Sequence, residues 1–138
     1  MDFKGKWNIP DNKEATEVIG QCKNEKMKTS VRVVREFEGT ILQQTQLRQR
    51  SSQNKPLSQL VGILVSFMGF SDFAKRAFEK SEFPMVLITI RENVLQSILM
   101  NRKLQHIYPN LQLGFTLASN GHRKPFIMNK SNTKLENP

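Results

Sequence analysis

The chain has 138 residues and carries 21 lysines and arginines against 12 aspartates and glutamates, a formal net charge of +9. This length is typical of one domain with a real core. The lone cysteine, Cys22, excludes an intramolecular disulfide and fits a reducing compartment, so we expect a cytoplasmic or nuclear location. The charged segment Met1–Trp7 is unlike a secretory signal peptide, and no apolar stretch reaches the length of a membrane span.

A short helix and a β-hairpin are the first predicted elements. Trp7 is expected to anchor the N-terminal segment on the core. Asp11, Asn12 and Glu14 precede an apolar stripe and predict a capped helix that ends near residues 20–24. The segment Ser30–Arg50 alternates in polarity around Glu38-Gly39, which predicts two strands joined by a turn. In the competing interpretation Ile41–Arg50 is a helix, because Gln, Leu and Arg favour helices.

Two helices and a buried strand are predicted next. Apolar residues at three- and four-residue spacing from Leu57 to Met68 predict a helix that begins at Pro56 and ends at Gly69. Ser71 and Asp72 cap a second helix, in which we expect four residues to face inward: Phe73, Ala74, Ala77 and Phe78. The pair has helix-turn-helix spacing, but two phenylalanines do not suit a helix that reads DNA. Met85–Ile90 is aliphatic on both faces and predicts a central strand.

A helix and a second hairpin complete the predicted fold. Asn93 is the expected cap of a helix that closes at residues 101–103, before Tyr108-Pro109. Leu111–Leu117 alternates in polarity, Asn120-Gly121 is a strong turn signal, and Arg123–Met128 is the return strand with Pro125 at an edge. The order α-ββ-αα-β-α-ββ predicts a single α+β domain over residues 1–128, with a mostly antiparallel sheet and packed helices, and a disordered tail at 129–138.

The sequence offers little for catalysis. His106 and His122 lack the spacing of a metal-ligand pair, and the seven glycines form no phosphate-binding loop. Nucleophilic catalysis by Cys22 needs a nearby histidine and an electropositive setting, so we expect Cys22 to be a free, buried cysteine on the short helix. We therefore expect a protein that is not an enzyme and that has no metal, cofactor or small-molecule substrate. One enzymatic alternative pairs the two histidines with Lys103 or Lys124 in acid–base cleavage of RNA.

Positive charge is concentrated after residue 38. Residues 1–38 hold eight basic and seven acidic side chains, whereas residues 39–138 hold thirteen and five. No carboxylate occurs in Gly39–Ser71 or in Asn93–Leu135. A positive field of this kind attracts polyanions such as RNA, DNA and acidic lipid head groups. The alternative is that the excess charge only keeps the protein in solution.

Basic residues near aromatic ones are the predicted nucleic-acid contacts. Lysine and arginine neutralise phosphates, and an exposed aromatic ring stacks on an unpaired base. The predicted binding residues are Arg48, Arg50, Lys55, Arg102, Lys103, Tyr108, Arg123 and Lys124. They favour a non-catalytic module that binds nucleic acid, with RNA or single strands preferred over specific duplex DNA.

The main alternative is a protein that self-associates. An edge strand such as Arg123–Met128 could pair with a second copy. In addition, Gly39-Thr40-Ile41 and Phe70-Ser71-Asp72-Phe73 resemble the carboxy-terminal part of vesicular rhabdovirus matrix proteins. The resemblance covers about a quarter of the chain. It implies a viral structural or accessory protein that oligomerises and contacts an anionic membrane or a nucleocapsid.

Overall fold

A computed structural model describes residues 2–9, 15–53 and 57–129, and its broad class is the expected α+β. The helices and strands of these residues are, in chain order, β1 (Phe3–Trp7), β2 (Thr16–Lys23), α1 (Val31–Ser51), β3 (Leu60–Ser66), α2 (Asp72–Lys80), β4 (Met85–Arg91), β5 (Val94–Met100), α3 (Arg102–Ile107), β6 (Leu111–Leu117) and β7 (Arg123–Asn129).

The main sheet has five strands in the order β1-β2-β3-β4-β5, and β6 and β7 form a separate two-stranded sheet. The pairs β2–β3 and β3–β4 are parallel, whereas β1 and β5 run antiparallel to their neighbours. Parallel neighbours need a crossover, and α1 and α2 supply it. The expectation of a mostly antiparallel sheet therefore fits the edges of this sheet and the β6–β7 hairpin but not its centre.

Each face of the main sheet has its own apolar cluster. Both crossover helices pack on one face, which we call the helix face, through a cluster that includes Val34, Phe37, Ala74 and Phe78. On the opposite face, which we call the hairpin face, a second cluster joins Val61 and Val86 to α3 and β6. Trp7 packs against this second cluster, which confirms its expected role as an anchor.

The contact between α1 and the sheet depends on a glycine. A Cβ atom on Gly62 would lie 2.5 Å from Ile41 Cδ1 and 2.8 Å from Phe37 Cε2. Real side chains do not approach so closely, so glycine lets the helix lie directly on β3. This packing places α1 over the centre of the sheet.

Three predicted elements were wrong in type. Thr16–Lys23 is strand β2 and not a helix; its expected caps, Asp11 to Glu14, lie outside the described residues. Val31–Ser51 is one helix and not a hairpin. The competing interpretation, a helix over Ile41–Arg50, was right for that part of the segment. Leu60–Ser66 is strand β3 and not a helix. A central strand buried on both faces is apolar throughout, so its periodicity does not distinguish it from a buried helix.

The prediction of a helix after β4 was also wrong. Glu92 and Asn93 both have positive φ, 51° and 62°, and form the two-residue turn of a β4–β5 hairpin instead of a helix start. Asn101 opens α3 as its N-cap and does not close a helix. By contrast, α2, β4 and the β6–β7 hairpin confirm their predictions. Residues 130–138 of the expected tail lie outside the described residues, and β7 includes Asn129.

Candidate nucleic-acid interface

The predicted binding residues lie on three separate elements. Arg48 and Arg50 are in the last turn of α1, Arg102 and Lys103 begin α3, and Arg123 and Lys124 begin β7. Tyr108 follows α3 as its C-cap, and Lys55 lies outside the described residues. The structure does not bring these residues together as one surface.

Several of these side chains make contacts within the fold. The Arg48 guanidinium pairs with the Glu17 carboxylate at 2.7 Å and also donates to the Ser58 carbonyl oxygen. Arg123 donates to the Leu95 carbonyl oxygen at 2.8 Å. These two arginines therefore stabilise the fold, and Arg123 satisfies a carbonyl group of edge strand β5.

Tyr108 and Arg102 differ in burial: the Tyr108 ring is half-buried, whereas the Arg102 side chain is exposed. The Tyr108 hydroxyl shares a hydrogen bond of 2.7 Å with Thr16 Oγ1, and the half-buried ring packs with the hairpin-face cluster. This ring therefore packs with the core, and its stacking on a base stays a prediction. Arg102 is exposed and lies 3.9 Å from a Glu79 carboxylate oxygen, a contact that solvent screens.

A different set of basic residues does come together. Between β1 and the second half of α1 lies a groove of about 400 Å³. We call it the basic groove; its polar lining residues are Lys4, Lys6, Glu17, Gln44 and Arg48. Three cations face one carboxylate there, and that carboxylate already pairs with Arg48. The groove therefore carries net positive charge.

The topology explains why this groove stays open. In the β1–β2 register Lys4 lies opposite Ile19 and Lys6 opposite Glu17. Ile19 belongs to the helix-face cluster, so both lysines are on the helix face. Because α1 packs over β3 at Gly62, edge strand β1 remains uncovered, and Lys4 and Lys6 are exposed beside the helix.

Asp2 lies at the carboxyl end of β2. Its N–H donates to the Gly20 carbonyl oxygen at 2.8 Å, and its carboxylate accepts from the Cys22 N–H at 2.7 Å. These bonds hold Asp2 beside the carboxyl end of β2, just before the paired segment that begins at Phe3 and Gly20. Alternation then places Gln21 and Lys23 on the helix face with Ile19. We call Asp2, Gln21 and Lys23 the Asp2 corner.

Cys22 is not prepared for nucleophilic chemistry. Partial burial and, to a lesser extent, the negative charge of Asp2 raise the pKa of its thiol. A thiol with a raised pKa holds less thiolate, which is the reactive form. The expectation of a buried cysteine on a helix was wrong, because Cys22 is exposed on strand β2, and its low reactivity stays a prediction that the raised pKa favours.

Sequence reasoning missed Lys4 and Lys6 because they lie in the nearly neutral first third of the chain. A signal was present. Phe3-Lys4-Gly5-Lys6-Trp7 alternates large apolar or small residues with lysine, which is typical of an edge strand with one basic face. The place of α1 beside that face could not be read from the alternation.

Two features are absent from the described part of the chain. Within residues 2–9, 15–53 and 57–129, no group of three or more His, Cys, Asp or Glu side chains could hold a metal ion. None of the three helices found there is long and apolar enough to cross a membrane.

These features define a mixed α/β domain with a basic groove between an edge strand and a crossover helix. The family model described as Required for respiratory growth protein 7 matches residues 1–117, which extend from before β1 to the end of β6. The chain belongs to this family. No curated protein and no solved structure matches it.

Proposed function

We propose that this domain binds nucleic acid and that the basic groove contacts the phosphate backbone. The observation that carries the proposal is that Lys4, Lys6 and Arg48 meet in one groove although they come from two elements. Lysine and arginine along a groove follow a polyanionic backbone without reading its sequence. We favour RNA or single-stranded DNA, because a positively charged groove that follows the backbone is typical of proteins that bind single strands.

The affinity of the protein for a mixed-sequence single-stranded oligonucleotide should fall steeply with salt. Each phosphate contact on a single strand contributes about −0.7 to the slope of log K against log salt. Three contacts predict a loss of affinity of about tenfold to twentyfold between 50 and 200 mM salt. Fluorescence anisotropy of a labelled oligonucleotide measures this. Absence of binding at low salt would contradict the proposal.

The family description favours a role in mitochondria, where respiration takes place. We therefore propose a mitochondrial nucleic acid as the partner. The expectation of a cytoplasmic or nuclear location stays a prediction, and fractionation of cells that express the tagged chain distinguishes the two.

The Asp2 corner favours a second candidate function, the metal-assisted hydrolysis of phosphodiester bonds. Mg²⁺ binds proteins through one or two carboxylates and completes its shell with waters and substrate phosphates. The Asp2 carboxylate and the Gln21 amide oxygen are suitable ligands, and Lys23 could stabilise the charge that develops on the phosphate. Water would attack phosphorus, the bond to one ester oxygen would break, and that oxygen would take a proton from the water. The expectation of a non-catalytic protein is the alternative to this candidate.

Hydrolysis predicts that Mg²⁺-dependent cleavage of single- or double-stranded DNA falls at least a hundredfold in Asp2→Asn and in Lys23→Ala. Glu25→Gln removes a carboxylate from the loop just after β2 and serves as the matched control. A denaturing gel with end-labelled substrate measures cleavage. The candidate is refuted by equal cleavage in Asp2→Asn and the unmodified protein, or by no cleavage in any of the four proteins.

Self-association stays a prediction. Within the described residues β7 pairs with β6 alone, so its second edge is available for another copy. Sizing chromatography tests this expectation, and an oligomer that ignores nucleic acid would favour it. The predicted contact with an anionic membrane or nucleocapsid is tested by sedimentation with anionic vesicles.

A further inference from the structure

We infer that Phe73 is a stacking platform for an unpaired base of the bound nucleic acid. The inference rests on the proposed function and adds how the protein contacts bases. Phe73 was expected to face the core, but its side chain is 68% exposed. That expectation was therefore wrong, and the exposed ring has no role in the core.

The packing of α2 explains why this ring faces solvent. Ala74 and Phe78 are buried against the sheet, and they share one face of the helix because they are four residues apart. Phe73 precedes Ala74 by one residue and is therefore turned away from that face. The helix needs two of these three residues for packing and leaves the third in water.

One face of the Phe73 ring is already covered by a cation. The Arg76 guanidinium lies over the ring, 5.4 Å from its centroid, in cation–π geometry. This contact holds the ring in place while most of its surface stays accessible. An aromatic ring that is fixed, exposed and next to a guanidinium is suited to stack on a base whose phosphate lies near the arginine.

The surroundings of Phe73 are mostly basic. The Thr29 N–H donates to the Gly69 carbonyl oxygen at 2.8 Å, and the Ser71 N–H donates to the Thr29 carbonyl oxygen at 3.0 Å. These bonds join the loop before α1 to the loop before α2, so Lys28 is close to the start of α2. Lys75 and Arg76 follow within the helix, whose first turn holds one carboxylate, Asp72, and whose last turn holds Glu79.

Phe73 and the Asp2 corner lie at the same edge of the sheet. Lys23 at the end of β2 pairs in register with Ser66 at the end of β3, and Ser66 precedes the loop that leads into α2. Neighbouring strands are about 4.8 Å apart. A single strand that leaves the basic groove along β2 and passes Lys23 therefore reaches the carboxyl end of β3, from which the chain leads into α2.

The test compares Phe73→Ala with Leu117→Ala, which truncates another apolar side chain that is 70% exposed. Stacking predicts that Phe73→Ala lowers affinity for oligothymidylate about tenfold and leaves the salt slope unchanged. Leu117→Ala should change affinity less than twofold. On an abasic oligonucleotide of the same length, Phe73→Ala and the unmodified protein should bind equally, because that strand has phosphates but no bases.

A second variant tests the contact directly. In Phe73→Trp, oligothymidylate should quench the additional tryptophan fluorescence relative to the unmodified protein, which contains Trp7 alone. If the unmodified protein binds oligothymidylate but Phe73→Ala binds it equally well, or if Phe73→Trp shows no quenching, the stacking role is refuted and the phosphate contacts stand. If the unmodified protein does not bind oligothymidylate at low salt, the proposed function itself fails.

Discussion

Asn101→Ala is expected to lower the free energy of unfolding by about 3–4 kcal/mol, a larger loss than single substitutions usually cause. Asn101 is completely buried between the end of β5 and the start of α3. Its amide oxygen accepts from the N–H groups of Met85 and Leu104, at 3.1 and 3.0 Å. Its amide nitrogen donates to the carbonyl oxygens of Phe78 and Phe83, at 3.0 and 2.8 Å.

The loss is large because alanine leaves the buried N–H groups of Met85 and Leu104 and the half-buried carbonyl of Phe83 without this partner, whereas the Phe78 carbonyl still accepts from the Ser81 N–H. Each unsatisfied buried group costs about 1–3 kcal/mol, although water that enters the space offsets part of this. The bond from the Leu104 N–H is also the N-cap of α3, and the loss of such a cap typically costs about 1 kcal/mol by itself. One side chain thus ties the end of α2, the start of β4 and the start of α3 together.

Urea unfolding followed by circular dichroism measures the effect. Asn120→Ala is a matched control, because Asn120 also accepts one backbone N–H, that of His122, but at an exposed turn. We expect Asn120→Ala to cost less than about 1 kcal/mol. A cost below 1 kcal/mol for Asn101→Ala would mean that the Asn101 hydrogen bonds do not hold these elements together.

Local signals were sufficient to predict some elements. A cap followed by helical spacing predicted α2, and Asn120-Gly121 between alternating segments predicted the β6–β7 hairpin. For β3 the pattern favoured the wrong element. Its Leu60, Val61 and Leu64 have helical spacing, yet the strand is buried on both faces and both faces must be apolar.

Tertiary contacts determine that α1 is a helix and where the candidate site lies. Polar residues alternate with apolar ones along Ser30–Arg50, but the side chains that α1 buries, Val34, Phe37 and Ile41, are three and four residues apart. The basic groove depends on two facts that no local pattern contains. One is that β1 lies at an edge of the sheet, and the other is that Gly62 lets α1 pack over β3.

Substitution of the two groove lysines is expected to have the largest effect on binding. Lys4→Ala combined with Lys6→Ala should lower affinity for a mixed single-stranded oligonucleotide about tenfold at low salt. The salt slope should also become shallower by about 1.4, the contribution of two phosphate contacts. Arg48 is left unchanged because it pairs with Glu17, and its removal would disturb the fold as well as the groove.

The matched control removes the same charge elsewhere. Lys103→Ala combined with Lys124→Ala replaces two lysines that begin α3 and β7, outside the groove. Both double variants have the same net charge, so a difference between them reports position alone. Lysines on an edge strand oppose strand pairing, so sizing chromatography on each variant checks that removal of Lys4 and Lys6 has not caused self-association. Unchanged elution assigns the loss of affinity to the groove.

Salt-dependent anisotropy titrations of these two double variants test the central claim most directly. We predict that the variant of Lys4 and Lys6 loses about tenfold in affinity and has the shallower slope, whereas the variant of Lys103 and Lys124 changes less than twofold. Equal losses in the two variants would show that net charge alone drives binding. A loss confined to the variant of Lys103 and Lys124 would place the interface outside the basic groove.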